Sequence, residues 1–395
     1  MADDAMYMSA REAAALLKIS VQTLYAYVSR KQLRSRGVPG TRARLYWRAD
    51  IERLMRGGLE QSTAGRPVVS ADSEITLLAK QGLYYRGRDA IALAESESFE
   101  TVAALLWGVD ESVVFTPTPP PVPAAYETAR RLLDGCAPGE RAIVLLPLIE
   151  YATGGPHDPS PAGFARAGAD VLRWTAAILS GAGAPSAAPI ADYIATSLDA
   201  RPGWGDVVRR LLVLAADHAL ESTAYAVRAL ANVGVTPYQA AAAGLMAAHG
   251  RRLQQLRLVD ATRLLSEILD APDPRAPIDA RHRAGEPLAG FDPAGYQDTD
   301  PRGAALMQAI EARFGDDDEV RRLRRAADAA KAVGGSGPNF LLMALFVGHK
   351  VGLVGHEIAI AMIGRTAGHI AHAIEQSYGR DLVLTRATYT GPLPE

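Results

Sequence analysis

The sequence predicts a predominantly helical protein with a small, separate unit at its amino end. Three observations carry this. Alanine is abundant and aromatic residues make up only 6% of the chain, a composition that favours helices over sheets. Apolar residues recur at helical spacing, interrupted by glycine- and proline-bearing loops such as GGPHDPSP and SGAGAPSAAP. Residues 1–60 carry eleven Lys and Arg against six Asp and Glu, whereas the whole chain has a net charge of only −2. The near-neutral whole excludes a generic polyanion binder, and the basic end points to a nucleic-acid-facing module. With 395 residues the chain has room for two or three domains.

Cys136 is the single cysteine, which excludes an internal disulfide and a cysteine metal cluster. The start, MADDAMYM, is acidic and lacks the apolar core of a secretory signal. The longest apolar region, 340–363, is broken by His349, Lys350, His356 and Glu357, so it reads as a buried helix pair rather than a membrane span. These features place the protein in the cytoplasm.

From Met8 to Met55 the pattern is two short helices followed by a basic hairpin. Ser9 and Glu12 form a capping box ahead of Ala13, Ala14, Leu16 and Leu17. Ser20 caps a second helix carrying Val21, Leu24, Tyr25 and Val28 at helical spacing. Gly37, Pro39 and Gly40 mark a turn studded by Arg34, Arg36, Arg42, Arg44 and Arg48, and Asp50 is expected to cap a third helix. This pattern resembles the winged helix-turn-helix of excisionase and MerR-type regulators, with Ser9, Glu12, Ser20, Thr23, Leu24, Tyr25, Arg44, Tyr46 and Asp50 on its motif positions. The resemblance implies that the second helix enters the major groove, with Gln22, Thr23, Tyr25 and Tyr27 facing bases. Arg30, Lys31, Arg42 and Arg44 would then meet phosphate. The alternative is a small helical interaction domain with a solvated basic face. Residues 57–69 read as a polar linker after a domain at 1–56.

Beyond the linker, the stretch 290–302, GFDPAGYQDTDPR, is a tight polar loop between two helical regions. It resembles the citrate synthase signature G-F-G-H-R-V-Y-K-x-x-D-P-R, with Gly290, Phe291, Tyr296, Asp300, Pro301 and Arg302 in register. Other stretches resemble that family in the same order. They are LYYRG at 83–87, FETVAALLWG at 99–108, ADHALESTAYAVR at 216–228, Pro338-Asn339, IGRTAGHIAHAIEQ at 363–376 and RATYTGP at 386–392. The resemblance implies an all-α fold built as a homodimer. A large domain would comprise 70–253 and 343–395, and a small domain at 254–342 would close over the substrate. It also implies that His218, Arg302 and Arg365 hold a small carboxylate such as oxaloacetate. The bland alternatives are a packing histidine, an arginine paired within its own Asp300-Pro-Arg loop, and a helix-packing arginine.

The family chemistry combines an acyl thioester with a ketone through a carboxylate base and two histidines. The resemblance puts those three positions on Leu341, Leu253 and Pro293, none of which transfers a proton. Asp292, beside Pro293, is a conceivable replacement base. His249-Gly250 becomes the family's His-Gly pair only if about one helical turn is deleted. The arginine lent across the family dimer falls on Leu384. Three functions follow as expectations: a DNA-binding regulator sensing a small carboxylate or acyl-CoA, with no other cofactor and no metal; an active citrate or 2-methylcitrate synthase-like acyltransferase using His249; or a non-catalytic partner in mixed dimers.

Overall fold

The structure is a computed structural model. It describes residues 7–29, 33–38, 40–41, 43–48, 50–51, 72–80, 82–154, 158–250, 257–379, 383 and 391. Arg30, Lys31, Arg42, Leu253, Leu384 and the linker at 57–69 lie outside the described residues, as does the side chain of Tyr27. Two compact units emerge, Met1–Ser70 with Leu384–Glu395, and Ala71–Val383.

That unit comprises β1 (Tyr7–Ser9), α1 (Ala10–Leu17), α2 (Val21–Ser29), β2 (Ser35–Gly37) and β3 (Arg44–Trp47). The Ser9–Glu12 capping box forms in both directions, and Ser20 Oγ accepts from Thr23 N at 3.1 Å. β2 and β3 make the expected hairpin, but β1 adds a third antiparallel strand, in the order β1-β3-β2. Met8, Ala13, Leu24, Leu33, Tyr46 and Ile51 form the core. Asp50 corrects one expectation: the backbone is already helical at Arg48, and the buried Asp50 carboxylate pairs with Arg34 instead of capping. Arg34 Nε and Nη2 reach it at 3.0 Å each, and the Arg34 backbone N–H adds a third bond at 3.0 Å. Three such donors offset the cost of taking this carboxylate out of water.

The second unit opens with an antiparallel sheet of β4 (Thr76–Ala79), β5 (Gly82–Tyr85) and β6 (Arg88–Asp89). The LYYRG stretch is thus largely strand. Helices follow: α3 (Ala90–Ser96), α4 (Phe99–Trp107), α5 (Glu111–Val114), α6 (Ala125–Leu132), α7 (Pro138–Thr153) and α8 (Pro161–Ser180). Next come α9 (Ile190–Ser197), α10 (Trp204–Ala215), α11 (Ser222–Ala231), α12 (Pro237–Ala248), α13 (Val259–Asp270) and α14 (Ala276–Ala284). The last four are α15 (Pro301–Phe314), α16 (Asp318–Ala332), α17 (Phe340–Lys350) and α18 (Ala359–Tyr378). The proline-rich stretch at 116–123 is irregular, as expected, and the buried Arg173 donates to its Thr116 and Thr118 carbonyls. The apolar region at 340–363 is divided between α17 and α18, and no helix among the described residues is long and apolar enough to cross a membrane.

α18 is the hub. It packs on α4, α8, α10, α11 and α12 and is buried on nearly every side. A helix so enclosed is normally apolar all round, yet α18 buries Thr366, His369, His372 and Gln376. Gly368 permits its closest crossing: a Cβ there would lie 2.3 Å from the Ala216 carbonyl oxygen and 2.5 Å from an Asp217 carboxylate oxygen. Gly368→Ala should destabilise the protein by about 1–3 kcal/mol, the usual cost of overpacking. Urea unfolding would show this as a lower midpoint; an unchanged midpoint would mean the crossing is not tight.

Candidate functional site

The signature loop is fixed at both ends. Gly290, at φ +90°, sits against the side chain of Leu342, leaving no room for a Cβ. Its carbonyl accepts from Asn339 N at 2.8 Å, and the Phe291 carbonyl accepts from Ser336 N at 2.9 Å. Asn339 caps α17 through Leu342 N and donates to Asp292 at 3.0 Å. At the far end Asp300 caps α15, with Pro301 at the first helical position, where its missing N–H costs nothing.

Asp300 is fully buried and accepts from Arg302 N and Nε at 3.0 Å, Arg302 Nη2 at 2.9 Å and Phe340 N at 3.0 Å. The guanidinium of Arg302 also lies over the rings of Phe340 and Tyr296, at 4.6 and 5.7 Å. Arg302 is therefore engaged by its own loop through Nε and Nη2.

His218 lies in the connection from α10 to α11. Three constraints shape that turn. The buried Tyr85 hydroxyl lies 3.1 Å from the carbonyl oxygens of both Val213 and Asp217 and accepts from Asp217 N at 3.3 Å. Asp217 accepts from Ala219 N at 3.0 Å. Ala219 adopts φ +56°, a left-handed conformation that costs a non-glycine residue about 1–2 kcal/mol. The turn aims His218 Nε2 at the Tyr296 hydroxyl, 3.2 Å away in the signature loop.

Asp217 faces α18. One of its carboxylate oxygens lies 3.2 Å from His372 Nε2 and 3.6 Å from Arg365 Nη1. None of these three buried atoms makes an aligned hydrogen bond among the described residues. His372 Nδ1 faces Arg228 Nη1 at 3.1 Å. Arginine only donates, so the ring hydrogen of neutral His372 belongs on Nε2, toward Asp217. Arg228 continues to Glu375 and, at 3.2 Å, to Gln376; Gln376 donates to Asn232 at 2.8 Å. Asn232 holds Val383 through both of its backbone polar groups.

The charges of this cluster act on one another. Burial, helped by the nearby positive charges of Arg302 and Arg365, lowers the His218 pKa to about 3. His218 is thus a neutral imidazole, and Arg302 and Arg365 both lie close enough to bear on it. Burial pushes the Tyr296 hydroxyl up to about 12. Burial likewise lowers His369 to about 3, with Arg365 and His372 contributing. For Asp217 burial works in the opposite sense, but His372 and Arg365 outweigh it and hold the carboxyl well below its usual range.

Residues 171–387 match the family described as citrate synthase, C-terminal domain. The chain belongs to the citrate synthase family. Residues 7–58 match the family described as helix-turn-helix domain, so the protein is a fusion of the two. The fold is similar to that of citrate synthase from Thermotoga maritima MSB8, with TM-score 0.67 and 17% identity, over 83% of this chain and 96% of that one. It is similar to the ternary complex of citrate synthase from the thermophilic archaeon Thermoplasma acidophilum with carboxymethyl coenzyme A and oxaloacetate, at TM-score 0.66 and 17% identity over 86% and 96% of the two chains. Citrate synthase from Pyrobaculum aerophilum gives TM-score 0.63 and 17% identity over 92% and 96%.

The structure thus brings His218, Arg302 and Arg365 to one place. Pro293 is half-buried in the signature loop, where its carbonyl accepts from Tyr296 N at 2.9 Å. Leu341 occupies the first turn of α17 and packs on the core. Leu253, the third catalytic position of the citrate synthase pattern, lies outside the described residues. Asp292 is exposed and engaged by Asn339 and Ala294 N. His249 caps the end of α12, where its Nδ1 donates to the Leu245 carbonyl at 2.8 Å. Its ring lies against Gly139 of α7, and no hydrogen bond or ion pair among the described residues joins it to His218, Arg302 or Arg365.

In the helix-turn-helix unit, Gln22, Thr23 and Tyr25 lie on the exposed side of α2, opposite the buried Leu24. The Thr23 hydroxyl is bonded to Ser20 Oγ at 2.9 Å. Arg44 is exposed on β3 and reaches Ser35 Oγ at 3.0 Å.

Asp217, Tyr85 and Arg228 were not foreseen as parts of the site. The signal for Asp217 was its place beside His218; Tyr85 and Arg228 had no local signal beyond lying in motif stretches.

Two histidines held neutral by burial set a pH dependence. Each has a folded pKa near 3 against an ordinary value of 6.5. The unfolded chain therefore binds protons first, and the stabilisation is complete above about pH 6.5 and lost as pH falls toward 3. Urea unfolding should give lower stability at about pH 5 than at about pH 7.5, with a shallower loss in His218→Asn. Equal slopes in the two proteins would show that His218 is not held neutral.

Proposed function

We propose that this protein is a DNA-binding transcriptional regulator whose citrate synthase-type unit senses a small carboxylate or an acyl-CoA and does not run the family reaction. The observation that carries the sensing half is Arg365 Nη1. It is buried beside His218, 3.6 Å from Asp217, and makes no hydrogen bond among the described residues. A buried guanidinium donor left in this way is a receptor for an acceptor oxygen, and a carboxylate or thioester carbonyl supplies one.

The chemistry half rests on Pro293 and Leu341. Loss of a general base costs about 10²–10⁴-fold, and loss of an oxyanion-type donor about 10²–10³-fold. Proline has neither a side-chain donor nor a backbone N–H, and leucine cannot take a proton. The regulatory half rests on the helix-turn-helix unit, with exposed Gln22, Thr23 and Tyr25 for bases and Arg44 for phosphate. Arg30, Lys31 and Arg42 are assigned to phosphate, and Tyr27 to bases, on the sequence pattern alone. A homodimer would present two such units to a palindromic site.

Purified protein should release CoA thiol from acetyl-CoA or propionyl-CoA with oxaloacetate at least about 10⁴-fold more slowly than a competent citrate synthase. Clear turnover that is lost in His249→Ala would instead establish an acyltransferase with a displaced site. A gel shift on genomic fragments should reveal a preferred palindrome, and binding should weaken several-fold in Arg44→Ala. Uniform binding to all fragments would remove the regulator reading.

A further inference from the structure

We infer that the cavity walled by α3, α10 and α15 is a binding site for a small carboxylic acid with a compact apolar body, an arylacetate or a branched-chain acid. None of His218, Arg302 and Arg365 lines this cavity. His218 follows the end of α10, and Arg302 lies in the first turn of α15. The cavity thus lies between the two helices that carry the candidate site.

All three helices contribute to its apolar wall. Ile91 and Ala94 come from α3, Leu214 from α10, and Leu306 and Ala309 from α15. The volume is about 220 Å³. An apolar cavity of about 150 Å³ accepts a benzene ring, so a ring or a branched chain fits here with room for a charged head. The lining includes the exposed Glu95, Gln308 and Arg313, so the cavity is reached from water.

Charge selects the head group. Arg210 and Arg313 line the cavity, and both engage Asp206. Asp206 Oδ2 accepts from Arg210 Nε at 2.9 Å and lies 3.1 Å from Arg313 Nη1. Its Oδ1 accepts from Arg209 Nη2 at 2.7 Å and from Arg209 Nε at 3.1 Å. Burial opposes the Asp206 charge, but Arg210 and Arg209 outweigh it and hold the carboxyl below its usual range. Three guanidinium groups therefore converge on one carboxylate whose two oxygens are already occupied, which leaves two positive charges in excess. Glu95, the other acid of the lining, is exposed and offsets at most one of them.

Arg210 gives Asp206 only its Nε. Its two terminal nitrogens make no hydrogen bond among the described residues, and neither does Arg313 Nη2. A carboxylate can accept from such a fork through both oxygens. A neutral apolar molecule would leave these donors without an acceptor. A bare inorganic anion would leave the apolar wall in water. An acid with an apolar body satisfies both.

Calorimetric titration of the full-length protein with phenylacetate and with isovalerate tests this. Each should bind at one site per chain. Phenylacetamide has the ring without the charge and acetate the charge without the ring, and both should bind at least about tenfold more weakly than phenylacetate. Arg210→Gln leaves Asp206 two arginines and should weaken phenylacetate at least about tenfold. Ala309→Leu fills the cavity and should abolish binding; Ala312→Leu, at an exposed position of the same wall, makes the same test if the first variant does not fold. His218→Asn should leave phenylacetate binding within about twofold. Binding of neither acid by folded wild type, equal binding of phenylacetate and its amide, or unchanged binding in a folded cavity-filled variant would overturn the inference. Binding lost in His218→Asn would place the ligand at the candidate site and overturn it as well.

Discussion

The carboxylate of Asp217 is the constraint on which the site depends. It has no exposure to solvent, so its charge survives only through what surrounds it. Its compensation comes from His372 and Arg365 on α18 and from the backbone of its own turn. Remove the carboxylate and a buried guanidinium is left with one long-range partner, Glu221. Replace Gly368 with a larger residue and α18 cannot approach closely enough to supply that compensation. The position of His218, one residue along, follows from this arrangement and from Tyr85 beneath it.

The signature loop is organised by a second buried carboxylate, and the comparison is informative. Among the described residues Asp300 receives four aligned hydrogen bonds, two of them from the Arg302 side chain. Asp217 receives one aligned bond on one oxygen and only electrostatic contact on the other. The first is a finished structural clamp. The second holds polar atoms in reserve, beside a neutral histidine and a tyrosine. Unfinished buried polarity is costly and calls for a specific reason to be kept.

The polar chain running from Asp217 through His372, Arg228 and Gln376 to Asn232 continues to Val383, where the second unit ends. In the amino-terminal unit, Arg34 is held by Asp50 and donates to the Gly391 carbonyl at 2.9 Å. A basic residue of the hairpin is spent on this anchoring rather than left for phosphate. Arg36 is engaged in a similar way, stacked 3.9 Å from the ring of Tyr7.

What the sequence determined by itself was local or ordered along the chain. The Ser9–Glu12 capping box, the Asp300-Pro301 start of α15, the irregular proline stretch and the paired short helices depend on residues within a few positions of one another. The order of motif stretches determined the helical fold and placed His218, Arg302 and Arg365 as one group. Tertiary structure decided the rest. Whether Arg302 is a ligand arm or a loop clamp depends on the path of the Asp300 side chain, and the fold engages two of its nitrogens in the clamp. Asp50 looked like a cap because caps are read from sequence position, but Arg34 reached it from sixteen residues away. Tyr85 and His372 meet Asp217 across 132 and 155 residues of chain, and Glu221 meets Arg365 across 144. No local spacing encodes such pairs. A buried charge is stable only beside its partner, and that partner is supplied by the packing of distant helices.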